Sequence, residues 1–326
     1  MKEGQRVEVR DKESVDVESP SAESISMEEL YQNYKGYAFS IAYRMLGVVA
    51  DAEDAVQDTF AELQRRDRSD IHNFKAYVAK GVTNRCLNRL NSARSRRETY
   101  IGEWLPEPVS EGDDGPEAET VRKDSISYAF LVLLERLAPT ERAVFVLREA
   151  FQYDYEDIAG MVGKTESNCR QIFSRAKRTL QAERTAASPD PSPGYGAVKE
   201  KLLRRFAAAF TSYDVGGMLK LLGEHPVLVA DGGGQEVHTI LRPMTGRKGV
   251  LALLTSRRVM HYLREWEQHY GIVNGEPGLI FTQQGEVKGV ICLIPDRSGE
   301  QIQNIYLMMD PAKMSHITVA QEIPGS

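Results

Sequence analysis

The side chains best equipped for chemistry fall in three places. The segment DAEDAVQDTF carries Asp51, Glu53, Asp54, Gln57 and Asp58 close together. Neighbouring carboxylates can act as general acid and base. At helical spacing, however, these form a continuous outward stripe, with no histidine at metal-ligand spacing beside it. Such a stripe suits charge-assisted hydrogen bonds to a cationic surface; a solvated helix face is the plain alternative. The second place is a pair of basic segments. One carries Lys80, Asn84, Arg85, Asn88 and Arg89 on one helix face, extended by Arg94, Arg96 and Arg97. The other carries Lys164, Thr165, Glu166, Ser167, Asn168, Arg170, Arg175, Lys177 and Arg178. Cations that hold phosphates, interleaved with amides and carboxylates that read base edges, are the equipment of nucleic-acid recognition. Third, Asp231 heads a run of Gly232, Gly233 and Gly234, with His225 and His238 nearby in sequence. Asp and His can form an acid/base pair, and an Asp-Gly turn is the alternative. No metal site and no cofactor are expected.

The net charge of −6 over 326 residues conceals strong segregation. Residues 1–33 hold nine acids against four Lys and Arg, and residues 98–119 hold eight acids and no Lys or Arg. Residues 64–97 hold ten Lys and Arg against Asp67 and Asp70, and residues 164–178 hold five against Glu166. A polyanion is bound by patches, so two basic blocks outweigh the overall charge. With 41% hydrophobic residues the chain has ample core for two or three small domains, which excludes a collagen-like or wholly disordered chain. No apolar run approaches the roughly 18 residues of a membrane span, so no membrane partner is expected. The N-terminal residues lack the apolar segment of a secretory signal. Cys86, Cys169 and Cys292 form no CxxC pair, which fits a reduced, cytoplasmic location. Cys86 and Cys169 fall on the two basic segments, where a small buried hydrophobe is the expected role rather than a redox switch.

The elements that must position these residues follow from periodicity. Residues 1–25 are polar and aperiodic, the composition of a disordered tail. Residues 26–97 read as a helical domain. Leu30, Tyr34, Tyr37, Ile41 and Met45 recur at helical steps. Ala55, Val56, Thr59, Phe60 and Leu63 then turn inward, with Asp51 placed to cap. A third helix runs from Phe74, with Val78, Val82, Cys86 and Leu90 inward. Residues 98–120 read as an acidic linker that still carries Trp104 and Leu105, apolar residues that predict docking. Residues 121–185 hold helices again, with Pro139 at a first turn. Tyr155–Met161, a turn at Gly163 and a basic helix from Thr165 give a helix-turn-helix layout. Residues 186–196 are a Pro/Gly/Ser linker. Residues 197–320 read as α+β: a helix from Val198 to Phe210, a further helix within 247–270, and strands at 226–234, 236–243, 278–296 and 302–310.

Two blocks resemble a known family. YRMLGVVADAEDAVQDTF at 43–60 is similar to region 2 of bacterial sigma factors, and LAPTERAVFVLREAFQYDYEDIAGMVGKTESNCRQIFSRAKRTL at 137–180 to region 4. With no region 3 between them, the match is to the extracytoplasmic-function (ECF) group. WLPEP at 104–108, DGGG at 231–234 and YLMMDPAKM at 306–314 resemble the SigJ-like subgroup, which carries a fused C-terminal SnoaL-like domain. Here DPAK stands where that subgroup carries Asn-Pro-Asp-Lys.

The resemblance implies two all-α sigma domains, a region 2 bundle and a region 4 helix-turn-helix, followed by an NTF2-like cone. It implies a sigma factor that binds core RNA polymerase through the β′ clamp coiled coil and the β flap and directs promoter-specific initiation. Asp51, Glu53, Asp54, Gln57 and Asp58 would meet polymerase. The first basic segment would meet the minus-10 element and the second the minus-35 element. The fused domain would regulate through an intramolecular contact involving Trp104, Leu105, Pro106 and Asp231–Gly234, with a pocket for a small-molecule ligand. Two other classes stay open at this point. One is a stand-alone helix-turn-helix regulator with a ligand-binding domain, which needs neither the acidic stripe nor the first basic block. The other is a SnoaL-like enzyme fused to a DNA-binding module.

Overall fold

The computed structural model describes residues 26–97, 102–110, 127–184, 194–233, 240, 242–257 and 261–319. The expected tail at 1–25, most of both linkers, Gly234 and His238 lie outside the described residues, as do the side chains of Arg94, Arg96 and Arg97.

The first module is a three-helix bundle: α1 (Met27–Leu46), α2 (Val49–Arg65) and α3 (Phe74–Arg97). A reciprocal capping box starts α1. The Ser26 hydroxyl accepts from the Glu29 N–H, and the Glu29 carboxylate accepts from the Ser26 N–H. Gly47 ends it in the left-handed conformation at φ +69°. The inward set of α2 is as its spacing predicts, with Ala55, Val56, Thr59, Phe60 and Leu63 buried. Asp51 does not cap this helix. The N-cap is Val48, which offers no side-chain acceptor, and Asp51 sits within the first turn.

The second module comprises α4 (Tyr128–Leu134), α5 (Pro139–Glu149), α6 (Tyr155–Val162) and α7 (Glu166–Arg184). It is not separate from the first. Val144, Leu147, Ile158, Met161 and Ile172 join Ile41, Val78 and Val82 in one buried cluster. At this joint the Tyr37 and Tyr153 hydroxyls meet at 2.5 Å, Tyr37 stacks edge-on to Phe151, and the Arg44 guanidinium lies over the Phe151 ring. Arg142, 3% exposed, forks onto Glu135 and donates to the Met45 carbonyl at 2.7 Å, one of the unpaired acceptors at the end of α1.

The third module is α+β. After α8 (Tyr195–Thr211) and α9 (Val215–Leu221) come β1 (Leu222–Asp231), β2 (Met244–Thr245), α10 (Gly246–Leu254) and α11 (His261–Glu265). Strands β3 (Glu267–Val273), β4 (Glu276–Gln283), β5 (Glu286–Pro295) and β6 (Ile302–Met308) complete it. The sheet order is β2-β1-β6-β5-β4-β3, with β1 parallel to β6 and every other pair antiparallel. Within 247–270, where a helix was expected, there are two short ones and then β3, a largely half-exposed edge strand whose polar sequence hides its period. The strand expected at 236–243 falls mainly outside the described residues, and β2 follows it.

Strand β5 is apolar on both faces because both are covered. Ile291 and Leu293 face the helices with Leu202, Phe206, Phe210, Val250 and Phe281. Cys292 and Ile294 face the other way, with Tyr306 and Met308, onto Leu105, Tyr128 and Val132. The linker and α4 thus pack on the outer face of the sheet. Between sheet and helices, apolar side chains of the described residues form one buried cluster. A cleft of about 810 Å³ lies between α8, α9 and the β5–β6 turn, beside Lys201, Arg205 and Lys220. Among the described residues no helix is long and apolar enough to cross a membrane.

Candidate nucleic-acid interface and its linker clasp

In the helix-turn-helix, α6 ends on Gly163 at φ +65°, a left-handed turn that glycine adopts without strain. Thr165 then opens α7, its hydroxyl accepting from the Asn168 N–H at 3.3 Å. Cys169, Ile172, Ala176 and Leu180 anchor α7 inward. Lys164, Thr165, Glu166, Ser167, Asn168, Arg170, Arg175, Lys177 and Arg178 are all exposed on it. Gln171 and Ser174 share that exposure, one turn beyond Ser167 and Arg170, and belong to the same face. Arg170 is ion-paired with Glu166 and lies 4.7 Å from the Tyr155 ring centre.

The first basic segment divides in two. Lys80, Asn84 and Asn88 form an exposed stripe at four-residue steps on α3. Arg85 and Arg89 lie about 100° round the helix and turn to α2. Arg85 pairs with Glu62 at 2.5 Å. Arg89 reaches Asp51 at 3.1 Å, Asp54 at 3.3 Å and Asp58 at 3.7 Å. The acidic stripe is on the surface as expected: Asp51, Asp54, Gln57 and Asp58 are exposed and Glu53 half-buried.

Residues 104–110 form a clasp between the modules. Glu107 caps α2, its carboxylate accepting the Val49 N–H at 2.6 Å, and its own N–H donates to the Gly47 carbonyl. The Tyr43 hydroxyl donates to the Glu107 carbonyl at 2.7 Å, and the Tyr128 hydroxyl to the Pro106 carbonyl at 2.7 Å. From the sheet side, fully buried Asp231 accepts from the Leu105 N–H at 2.8 Å and from Lys313 Nζ at 2.7 Å. Lys313 also donates to the Leu105 carbonyl and lies over the Trp104 ring at 4.2 Å. Asp231 further accepts the Gly233 N–H at 3.1 Å, and Gly233 itself is left-handed at φ +78° against Asp310. Asn274 exchanges hydrogen bonds with Val109 and donates to the Tyr43 hydroxyl. His316 contacts the Glu107 carboxylate at 2.8 Å and the Pro108 carbonyl at 3.1 Å.

Of the described clasp residues, sequence reasoning singled out Trp104, Leu105, Pro106, Asp231 and Gly233. It missed Tyr43, Glu107, Tyr128, Asn274, Lys313 and His316 as partners. For Asn274 a signal existed. Asn-Gly between apolar runs marks a two-residue hairpin, and here φ is +50° at Asn274 and +73° at Gly275.

Asp231 and His225 do not converge. His225 lies six residues before Asp231 on β1, about 20 Å away at the rise of an extended strand. All three cysteines are buried, and burial raises each thiol, that of Cys292 to about 12. A thiol so held is a packing group rather than a redox sensor.

Gly47 tests the clasp directly. A Cβ there would lie 3.0 Å from Trp104 and 3.3 Å from Pro106, at a φ of +69°. We expect Gly47→Ala to lose about 1–3 kcal/mol of stability through backbone strain. Urea unfolding should show it as a lower midpoint with unchanged slope.

A helix-turn-helix beside a bundle with one acidic and one amide-and-cation face is the architecture of a transcription-initiation subunit, which holds a polymerase and reads promoter DNA. Comparison with known proteins agrees. Residues 30–96 match the Sigma-70 region 2 family and residues 127–180 the Sigma-70, region 4 family. The chain is 32% identical to the ECF RNA polymerase sigma factor SigJ of Mycobacterium tuberculosis over 81% of this chain and 84% of that one. It is 29% identical to the probable ECF RNA polymerase sigma factor SigI of the same organism, over 87% and 93%. The crystal structure of M. tuberculosis SigJ superposes with a TM-score of 0.68 at 26% identity, covering 89% of this chain and 99% of that one. The chain belongs to the ECF sigma factor family. It is an RNA polymerase sigma factor that directs transcription initiation, with a C-terminal domain consistent with the NTF2-like cone.

Proposed function

We propose that the exposed face of α3, chiefly Lys80, Asn84 and Asn88, meets the minus-10 element, with Arg94, Arg96 and Arg97 extending it. The exposed face of α7 enters the major groove at the minus-35 element, and Asp51, Glu53, Asp54, Gln57 and Asp58 bind the polymerase clamp. The chain works in the cytoplasm, where that polymerase is. Its C-terminal domain is a built-in restraint. One observation carries this reading: the segment 104–110 is hydrogen-bonded at once to the region 2 bundle, to α4 of region 4 and to the sheet domain. Two promoter elements some 25 base pairs apart are separated by roughly 85 Å at 3.4 Å per base pair. In the closed chain α3 packs against α6, which in turn packs against α7, so the DNA-facing surfaces of α3 and α7 lie a small fraction of that distance apart. Initiation therefore requires the joint at Tyr37 and Tyr153 to part, and the clasp opposes that.

The test is energy transfer between dyes on Lys75→Cys and Glu156→Cys, exposed positions flanking the Tyr37–Tyr153 contact. The buried native thiols escape labelling. Transfer should be efficient in the free chain and collapse on addition of core polymerase and promoter DNA. Efficient transfer that persists in an active initiation complex would refute the opening.

A further inference from the structure

Arg89 holds an unusual place between the two working faces of the region 2 bundle. It sits on α3, next to Asn88 of the exposed amide stripe, yet its guanidinium is spent on the other face. It donates to Asp51 at 3.1 Å and Asp54 at 3.3 Å and lies 3.7 Å from Asp58. The three carboxylates are themselves half or more exposed, at 51%, 60% and 63%, whereas the arginine is 31% exposed. Arg85, one turn earlier, is held in the same way by Glu62. A cationic partner arriving at the stripe therefore meets carboxylates whose lone pairs are already partly used and whose charge is partly cancelled.

We propose that Arg89 is an intramolecular placeholder for the cationic group of polymerase. Docking of that group on Asp51, Asp54 and Asp58 displaces the guanidinium, which swings toward the Asn84–Asn88 stripe and becomes available to a DNA phosphate. This rests on the reading of the acidic stripe as the polymerase surface. The exchange is chemically even-handed, with one set of charge-assisted hydrogen bonds broken and an equivalent set formed by the partner. Its cost is small because exposed ion pairs are individually weak. It couples the two bindings: the free chain withholds a cation from DNA, and polymerase releases it.

The experiment uses the full chain with Arg89→Gln, and Arg89→Lys as the conservative variant. Affinity for core polymerase is titrated at low and at high salt. Capture of a single-stranded dT20 oligonucleotide is then measured with the assembled complex, with core polymerase alone as the baseline. A placeholder predicts opposite signs. Arg89→Gln should bind polymerase roughly three- to ten-fold tighter at low salt, a gain that fades with screening, while the complex captures dT20 several-fold more weakly. Arg89→Lys should restore much of the capture. Weaker polymerase binding by Arg89→Gln would make the residue a structural brace, and unchanged capture of dT20 would leave it without a DNA role; either overturns the proposal. Asp54→Asn with Asp58→Asn separates the underlying reading. If that variant keeps full polymerase affinity, the stripe is not the polymerase surface and both readings fall together.

Discussion

Replacing Asp231 by Asn is expected to loosen the whole chain and to raise, not lower, transcription. The carboxylate is fully buried, and its Oδ2 serves two groups at once, the Leu105 N–H and the Lys313 ammonium. Asn keeps the shape and an acceptor for Leu105, but it leaves the largely buried lysine facing a neutral amide. Breaking a buried pair by removing one charge costs about 3–5 kcal/mol, because the remaining ion has given up its water for nothing. Asp231 and Lys313 both belong to the sheet domain, but the linker at Trp104 and Leu105 covers them, so the lysine is stranded without water chiefly in the closed state, which is the one penalised. Run-off transcription at limiting core polymerase should rise as a larger share of the chain opens, while the melting temperature falls. A second variant separates the two effects. Asp231→Asn with Lys313→Met removes both charges, so stability should recover in part. The bond from Lys313 to the Leu105 carbonyl stays lost, and transcription should remain high. Transcription that drops in step with the melting temperature and recovers with it would show that the C-terminal domain supports initiation instead of restraining it.

The clasp is also where sequence reasoning ran short, and the reason is physical. Helix faces repeat locally, so the inward and outward sets of α2 could be read from three- and four-residue steps. The left-handed turn at Gly163 likewise announced itself between two amphipathic segments. The clasp has no period. Tyr43, Glu107 and Asn274 meet across long stretches of chain, and only the presence of Trp104 and Leu105 in a polar linker hinted that something received them. Glu107 capping α2 from another segment illustrates the same point. A local rule nominated Asp51, but the helix begins three residues earlier than that rule requires, and a carboxylate distant in sequence took the position.

The division of α3 could have been seen in advance. Residues 80, 84 and 88 lie on one line of a helix, and 85 and 89 lie about 100° away; two stripes so placed cannot both lie flat on one nucleic acid. Adjacent acids on α2 supplied a reason for the second stripe to face inward. Composition grouped the five residues together, and geometry separates them into exposed residues and internal partners. The apolar run VICLI was informative in the same way. A strand apolar at every position must be covered on both faces, and the second cover proved to be the linker with Tyr128 and Val132.

Arg170→Ala should change which promoters are used. Arg170 projects from the first turns of α7, where a recognition helix reaches base edges. Tyr155 supports its guanidinium from below, and Glu166 pairs with it from one turn before. Arginine supported in this way is pre-organised to fork onto guanine, a contact that supplies about 1–3 kcal/mol of discrimination, or roughly 5- to 150-fold. Truncation removes that contact and frees Glu166, whose carboxylate can accept from cytosine. The expected result is a shifted preference at one or two positions of the minus-35 element, measured by transcription from a library randomised there. Lysine should not rescue it, because an ammonium lacks the planar fork and stacks poorly. Lys177→Ala supplies the contrast. Its ammonium sits further along the same helix, 4.0 Å from Glu149, where a phosphate is the expected partner. Its loss should weaken every library member alike and lower the salt dependence of binding by about one counterion. If Arg170→Ala instead scales all members by one factor, Arg170 is also a phosphate contact, and base reading passes to the exposed polar residues beside it, Ser167, Asn168 and Gln171.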